Sequence, residues 1–145
     1  ANGGFEGSID PWQIGTAAGA VAIWALDASN PAVGATSLRV TITSGSPSRA
    51  GISVRQLGVH VRPGVRYRLS IRVRAETGRQ VRLSVGSTSR GTYASILGVA
   101  GTGWADVALE FLAIAGDDRA VVAIDLGRDT ATTWIDEVVF TRVGP

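Results

Sequence analysis

Arg62-Pro63-Gly64-Val65-Arg66-Tyr67-Arg68-Leu69-Ser70-Ile71-Arg72-Val73-Arg74-Ala75 is the stretch that decides the fold class. In an extended chain successive side chains point to opposite faces, so Tyr67, Leu69, Ile71 and Val73 share one face and Arg66, Arg68, Ser70, Arg72 and Arg74 the other. Arg62-Pro63-Gly64 launches the strand: proline fixes its own φ, and glycine accepts a positive one. Thr77-Gly78-Arg79 then turns the chain into 80–86, where Val81, Leu83 and Val85 face inward. The spacing predicts that these two segments form a hairpin.

The same two-residue period extends outward in both directions. Toward the N-terminus, Leu38, Val40 and Ile42 alternate within 37–43, and Ile52 and Val54 within 50–57, with the loop-forming Ser44-Gly45-Ser46-Pro47-Ser48 between them. Toward the C-terminus come 107–113 (Val107, Leu109, Phe111 inward), 120–127 (Val122, Ile124, Leu126 inward) and 132–143. With the segment 21–26 the count reaches about eight or nine short strands, too many for one flat sheet and suited to a two-sheet antiparallel β-sandwich. Nothing argues for a long helix. Neither an internal repeat nor a linker divides residues 1–145, which read as a single domain.

Composition sets the outer limits. The 145 residues are 45% hydrophobic and 18% charged with 19 glycines, the profile of a globular chain rich in tight turns. Apolar runs are broken well before the ~18 residues of a membrane span. The opening Ala1-Asn2-Gly3-Gly4 has no basic segment followed by an apolar one, so a secretion signal is expected to have been removed or to lie outside this sequence. With no cysteine the redox compartment stays open. All 14 basic residues are arginine, against 12 acids, and a net charge of +2 is too small to imply nucleic acid. Neither nucleic acid nor membrane is an expected partner.

The ends of the chain carry a resemblance. Asn2-Gly3-Gly4-Phe5-Glu6, Trp12, Gly34-Ala35-Thr36-Ser37-Leu38-Arg39-Val40, 61–67, Arg72-Val73-Arg74-Ala75, Gly103-Trp104 and Trp134-Ile135-Asp136-Glu137-Val138 follow one another in the order seen in carbohydrate-binding modules of families 4, 9 and 22. The chain resembles those jelly-roll sandwiches over nearly its whole length. The resemblance implies a structural Ca²⁺ where the first and last segments meet, held by Glu6 and Asp136 with carbonyls from Gly4 and from the turn at Val33 to Thr36. Carboxylates and loop carbonyls are the hard oxygen donors that calcium takes, six to eight at a time. The bland alternative is that Glu6 and Asp136 are exposed acids at strand ends.

The resemblance further implies a binding cleft on the concave face of one sheet, where aromatic rings stack on the apolar face of a sugar and polar groups meet its hydroxyls. Candidate ligand-binding residues are Arg72, Arg82 and Asp125, with Ser53, Arg55, Arg49, Arg90 and Tyr93 at the rim. Arg68, Arg74, Gln80, Ser84 and Ala123 belong to the same surface in this reading. The sequence departs from the family where xylan- and glucan-binding members place aromatics, near Arg49–Ala50 and Arg90. An arginine-lined cleft suits an anionic ligand, because guanidinium pairs with carboxylate or sulfate through two parallel hydrogen bonds. Arginines also decorate solvated strand faces, paired here with Asp125, Glu76 or Asp129, and the pattern leaves both readings open.

Other residues are discounted. Trp12, Trp104 and Trp134 fall where the family packs the sandwich, and Trp24, flanked by Ala22 and Leu26, is expected in the core. His60 lacks a nucleophile in a recognisable motif. Glu110 and Asp125 would need a set separation across one cleft to act as a glycosidase pair. The expected function is therefore non-catalytic: a secreted or extracellular module that carries an attached glycoside hydrolase or surface protein to a plant or algal-type polysaccharide, either a β-glycan such as xylan or β-glucan or an acidic polymer. The rival is a structural or adhesion sandwich that does not bind sugar.

Overall fold

The computed structural model describes residues 4–5, 11–17, 19–45, 51–87, 91–113, 116–128 and 130–143. Ten strands follow one another: β1 (Gln13–Thr16), β2 (Val21–Asp27), β3 (Ser37–Ser44), β4 (Ile52–Val61), β5 (Arg66–Ala75), β6 (Arg79–Ser87), β7 (Gly91–Ala100), β8 (Ala105–Leu112), β9 (Asp117–Asp125) and β10 (Thr133–Arg142). They form two five-stranded antiparallel sheets: sheet A in the order β1-β4-β9-β6-β7 and sheet B in the order β2-β3-β10-β5-β8. The last eight strands trace a jelly roll, and β1 and β2 extend one margin of each sheet. Among the described residues no helix is long and apolar enough to cross a membrane.

Alternation produces the core. Ile52, Val54, Val81, Leu83, Val85, Val122 and Ile124 of sheet A face Leu38, Val40, Leu69, Ile71, Val73 and Ile135 of sheet B, every one of them buried. Tyr67, Phe111 and Phe140 stack near the end of β10, Tyr67 on Phe140 with ring centres 5.1 Å apart. The Tyr67 hydroxyl accepts the Arg62 amide at 2.9 Å, which satisfies its polar end. At the β7 and β8 margin the sheets approach so closely that a Cβ on Gly98 would sit 2.6 Å from a Val107 methyl. Glycine is required there by space.

Two expectations are corrected. β5 and β6 are not a hairpin: β5 pairs with β10 and β8, whereas β6 pairs with β7 and β9. The segment between them crosses from one sheet to the other, and buried Arg79 holds the crossing. Its guanidinium donates to Leu126 O at 2.8 Å and Thr133 Oγ1 at 3.2 Å, at the end of β9 in one sheet and the start of β10 in the other. Trp24, expected in the core, is 47% exposed. It opposes Val40 and so has the inward phase. However, β2 is the outermost strand of sheet B, and β1, at the same margin of sheet A, has only four residues to cover it.

Candidate functional site

The register of sheet A lays its outward side chains in rows. One row runs Gly15, Ser53, Asp125, Arg82, Leu97; the next runs Gln13, Arg55, Ala123, Ser84, Ser95. Because Ala123, Ser84 and Gly86 are small while Arg55 and Leu57 rise on one side and Thr92 on the other, the middle of the face sinks into a depression of about 230 Å³. Leu57 stands exposed on its wall, and Leu97 and Val99 stand exposed further along the same face, opposite Arg82 and Gln80. Among the described residues this face combines guanidinium, hydroxyl and aliphatic groups and has no exposed aromatic ring. Sequence reasoning missed these aliphatics; the signal was there in Ser95 to Ala100, where apolar residues occupy both phases of the strand.

Asp125 and Arg82 form the fixed polar centre. Asp125 is 3% exposed, and Nε and a terminal nitrogen of Arg82 both lie 2.8 Å from its Oδ2. Burial pushes the Asp125 carboxyl above its ordinary range, against the opposing pull of the Arg82 hydrogen bond and of the Arg82 and Arg55 charges. Ser53 is buried beside Asp125, between β1 and β9, so it supports the pair instead of rimming a cleft. Arg55 differs from Arg82: among the described residues its Nε finds no hydrogen-bond acceptor, and it is out of contact with solvent. Tyr93 is half-buried and packs against the core.

Arg72 is the misplaced member of the candidate set. As a β5 residue it belongs to sheet B, where its Nε donates to Asp106 Oδ1 at 3.1 Å, because the β5–β6 connection changes sheets. Arg68 and Arg74 go with it. Arg68 faces Glu110 at 3.8 Å, and the Arg74 guanidinium lies between two indoles, 3.9 Å from the Trp134 ring centre and 5.3 Å from that of Trp104. These two tryptophans therefore hold an arginine on the outer face of sheet B. Glu110 and Asp125 sit on different sheets, which removes the glycosidase-pair geometry. Arg49, Arg90 and Glu6 lie outside the described residues.

A second locus forms at the turn before β3, which touches both Phe5 and Asp136. Asp136, fully buried, accepts the amides of Ala32 and Val33 at 3.1 Å each and that of Glu137 at 2.8 Å. The Thr36 hydroxyl donates to the carbonyl of Phe5, next to half-buried Gly4. Phe5, Asn30 and Glu137 all have left-handed φ, at 51°, 59° and 50°. Such a backbone costs non-glycine residues on the order of 1–3 kcal/mol each and persists only where the surroundings over-determine it. Among the described residues no three His, Cys, Asp or Glu side chains converge on a metal position. The locus thus offers one buried carboxylate and a concentration of turned backbone.

The sequence profile of a family of carbohydrate binding domains, that of modules of families 4 and 9, matches residues 1–132. The chain belongs to this carbohydrate-binding family. Its fold is shared with a family 4 carbohydrate-binding module at TM-score 0.81, with 18% identity over 99% of both chains. It also resembles the N-terminal cellulose-binding domain of β-1,4-glucanase C from Cellulomonas fimi, with TM-score 0.65 and 23% identity over 92% of this chain and 90% of that one. A third likeness is to the family 22 and catalytic modules of a Clostridium thermocellum xylanase in complex with xylohexaose: TM-score 0.70 and 18% identity, over 97% of this chain and 28% of that one. No curated protein sequence is significantly similar. As a family member the chain is a carbohydrate-binding module, a class that is generally non-catalytic.

Proposed function

We propose that this carbohydrate-binding module holds a β-glycan chain along the outer face of sheet A, without catalysis, and so brings an attached glycoside hydrolase or surface protein to its polysaccharide outside the cell. The observation that carries this reading is the depression over Ala123, Ser84 and Gly86, where small residues leave room between polar and aliphatic walls. Hydroxyls and Arg82 would meet the sugar rim, and Leu57 and Leu97 its C–H face. The likenesses to a cellulose-binding domain and to a xylanase bound to xylohexaose support a β-linked ligand.

Affinity electrophoresis in gels containing xylan, β-glucan or an acidic polysaccharide tests it. Ala123→Trp, which fills the depression from a position pointing outward, is expected to abolish retardation, and Arg72→Ala, on the other sheet, to leave it unchanged. Retardation that survives Ala123→Trp and disappears in Arg72→Ala would move the site to sheet B. The non-binding adhesion sandwich has one observation in its favour, the lack of an exposed aromatic ring on sheet A, and it predicts no retardation in any gel.

Calcium belongs to the same proposal. The described donors fit a hard cation: Asp136 is anchored by three amides, and the carbonyl-rich turns at Gly4–Phe5 and at Val33 to Thr36 adjoin it. With Glu6 these would complete the ligand set. The ion's contribution would be structural, tying the N-terminal segment to β10.

A further inference from the structure

Resting on the reading of sheet A as the glycan face, one feature of that face sets the class of glycan. The depression is lined by Arg55, Leu57, Ser84, Thr92, Val121 and Ala123 among others, and no carboxylate is among its described lining residues. Arg82 has spent its charge on Asp125, two nitrogens at 2.8 Å from one oxygen. Arg55 makes no such paired contact, although its charge also acts on Asp125. Its Nε neither touches solvent nor finds an acceptor, a position that costs free energy in the empty protein. Across the β1–β4 pairing its terminal nitrogen lies over Gly15, so close that a Cβ there would stand 2.4 Å away. The absent side chain of Gly15 gives the guanidinium its berth.

We infer that Arg55 receives an anionic substituent of the bound glycan, so that the natural ligand is an acidic polysaccharide whose carboxylate or sulfate docks at the β1–β4 side of the depression, where the guanidinium lies. A neutral hydroxyl would satisfy a donor but leave one of the two guanidinium charges that act on Asp125 unbalanced. A planar anion would do both, through the paired geometry that guanidinium favours. Ser84 and Thr92 then remain to meet the ring hydroxyls, and Leu57 and Val121 line the same depression.

Calorimetric titration of the protein with oligogalacturonate or oligoalginate, with a sulfated galactan oligomer, and with neutral xylohexaose or cellohexaose of equal length tests this. At least one acidic oligomer is expected to bind about tenfold or more tighter than the neutral ones at low salt. Whether the carboxylated or the sulfated oligomer leads identifies the anion. Arg55→Gln is expected to bring acidic binding down to the neutral level, and Arg55→Lys, which keeps the charge but loses the fork, to fall between. Gly15→Ala, which crowds the guanidinium without changing any charge, is expected to cut acidic binding severalfold while neutral binding stays within about twofold; it also keeps the inference testable if Arg55→Gln fails to fold. Equal affinity for neutral and acidic oligomers in the wild type would overturn the inference and leave the glycan face standing. A preference for acids that outlives Arg55→Gln would overturn the role of Arg55. Binding of no oligomer would overturn both readings.

Discussion

Asp27 ends β2 with its carboxylate enclosed by donors. Oδ1 accepts the hydroxyl of Ser29 and, at 2.8 Å, its amide, and Oδ2 accepts the indole N–H of Trp134 at 2.8 Å, with Arg39 3.5 Å away. These contacts, the Ser29 hydroxyl first and the Trp134 indole next, pull its pKa from 3.8 down to about 2, against a smaller opposing effect of burial. Because the folded value lies below the unfolded one, Asp27 contributes stability that is complete above about pH 4 and is lost as pH falls toward 2. Asp27→Asn removes that contribution. Near neutral pH it is expected to lower Tm by about 3–6 °C, and the gap should close as pH approaches 2. Thermal melts followed by circular dichroism at a series of pH values check this, and a gap independent of pH would mean that the ionised form matters little. The consequence extends beyond Asp27: Trp134, which its carboxylate orients, is the nearer of the two rings holding Arg74.

At the scale of the elements, one arginine decides which sheet a strand joins. Arg79 is 5% exposed, yet it spends its donors on carbonyls and a hydroxyl of two different strand ends. Arg79→Ala would leave those buried acceptors unsatisfied and is expected to cost about 3 kcal/mol, or roughly 6–12 °C in Tm, with Arg79→Lys rescuing little because an ammonium cannot reach several directions at once. Arg66→Ala, at an exposed position of β5, should stay within about 0.5 kcal/mol of the parent and serves as the control. Denaturant melts of the three variants give the comparison. The same residue explains a limit of sequence reading. Alternation made β3, β5, β6, β8, β9 and β10 legible, since each has one buried face. It missed β1, only four residues long, and β7, an outermost strand whose Ile96, Leu97 and Val99 put apolar groups on both faces. It also read the short Thr77-Gly78-Arg79 turn as a hairpin, because loop length does not say whether a chain stays in its sheet. That error carried Arg72 into the candidate site, whereas Arg55, Arg82 and Asp125 do share one face because β4, β6 and β9 pair within sheet A.

For the whole molecule, the open question is what ties the first residues to the last strand. Phe5 is fully buried and its ring tilts against Trp12 at 5.8 Å, so both residues are part of the core even though they precede the first strand. β10 changes register between Asp136 and Val139, and the bulge is where Glu137 takes its left-handed φ. A bulge re-aims the groups around it, and here it lies beside the buried carboxylate of Asp136. Two left-handed residues, Phe5 and Glu137, on either side of one locus are together worth a few kcal/mol of strain, which the proposed calcium would offset by drawing in the carbonyls that such turns expose. An ion bound only by the native state stabilises it by mass action, by about 2.7 kcal/mol at a hundredfold excess over Kd. Adding millimolar calcium to chelator-treated protein is therefore expected to raise Tm by roughly 5–11 °C. Asp136→Asn should lower the starting Tm and abolish the calcium response, and Asp106→Asn, on the exposed end of an ion pair in β8, should leave the response intact. A melting curve indifferent to both chelator and calcium would assign the strain at Phe5 and Glu137 to packing and to the hydrogen bonds on Asp136. The glycan face lies on the other sheet from Asp136, so the calcium response should be the same in Arg55→Gln as in the parent.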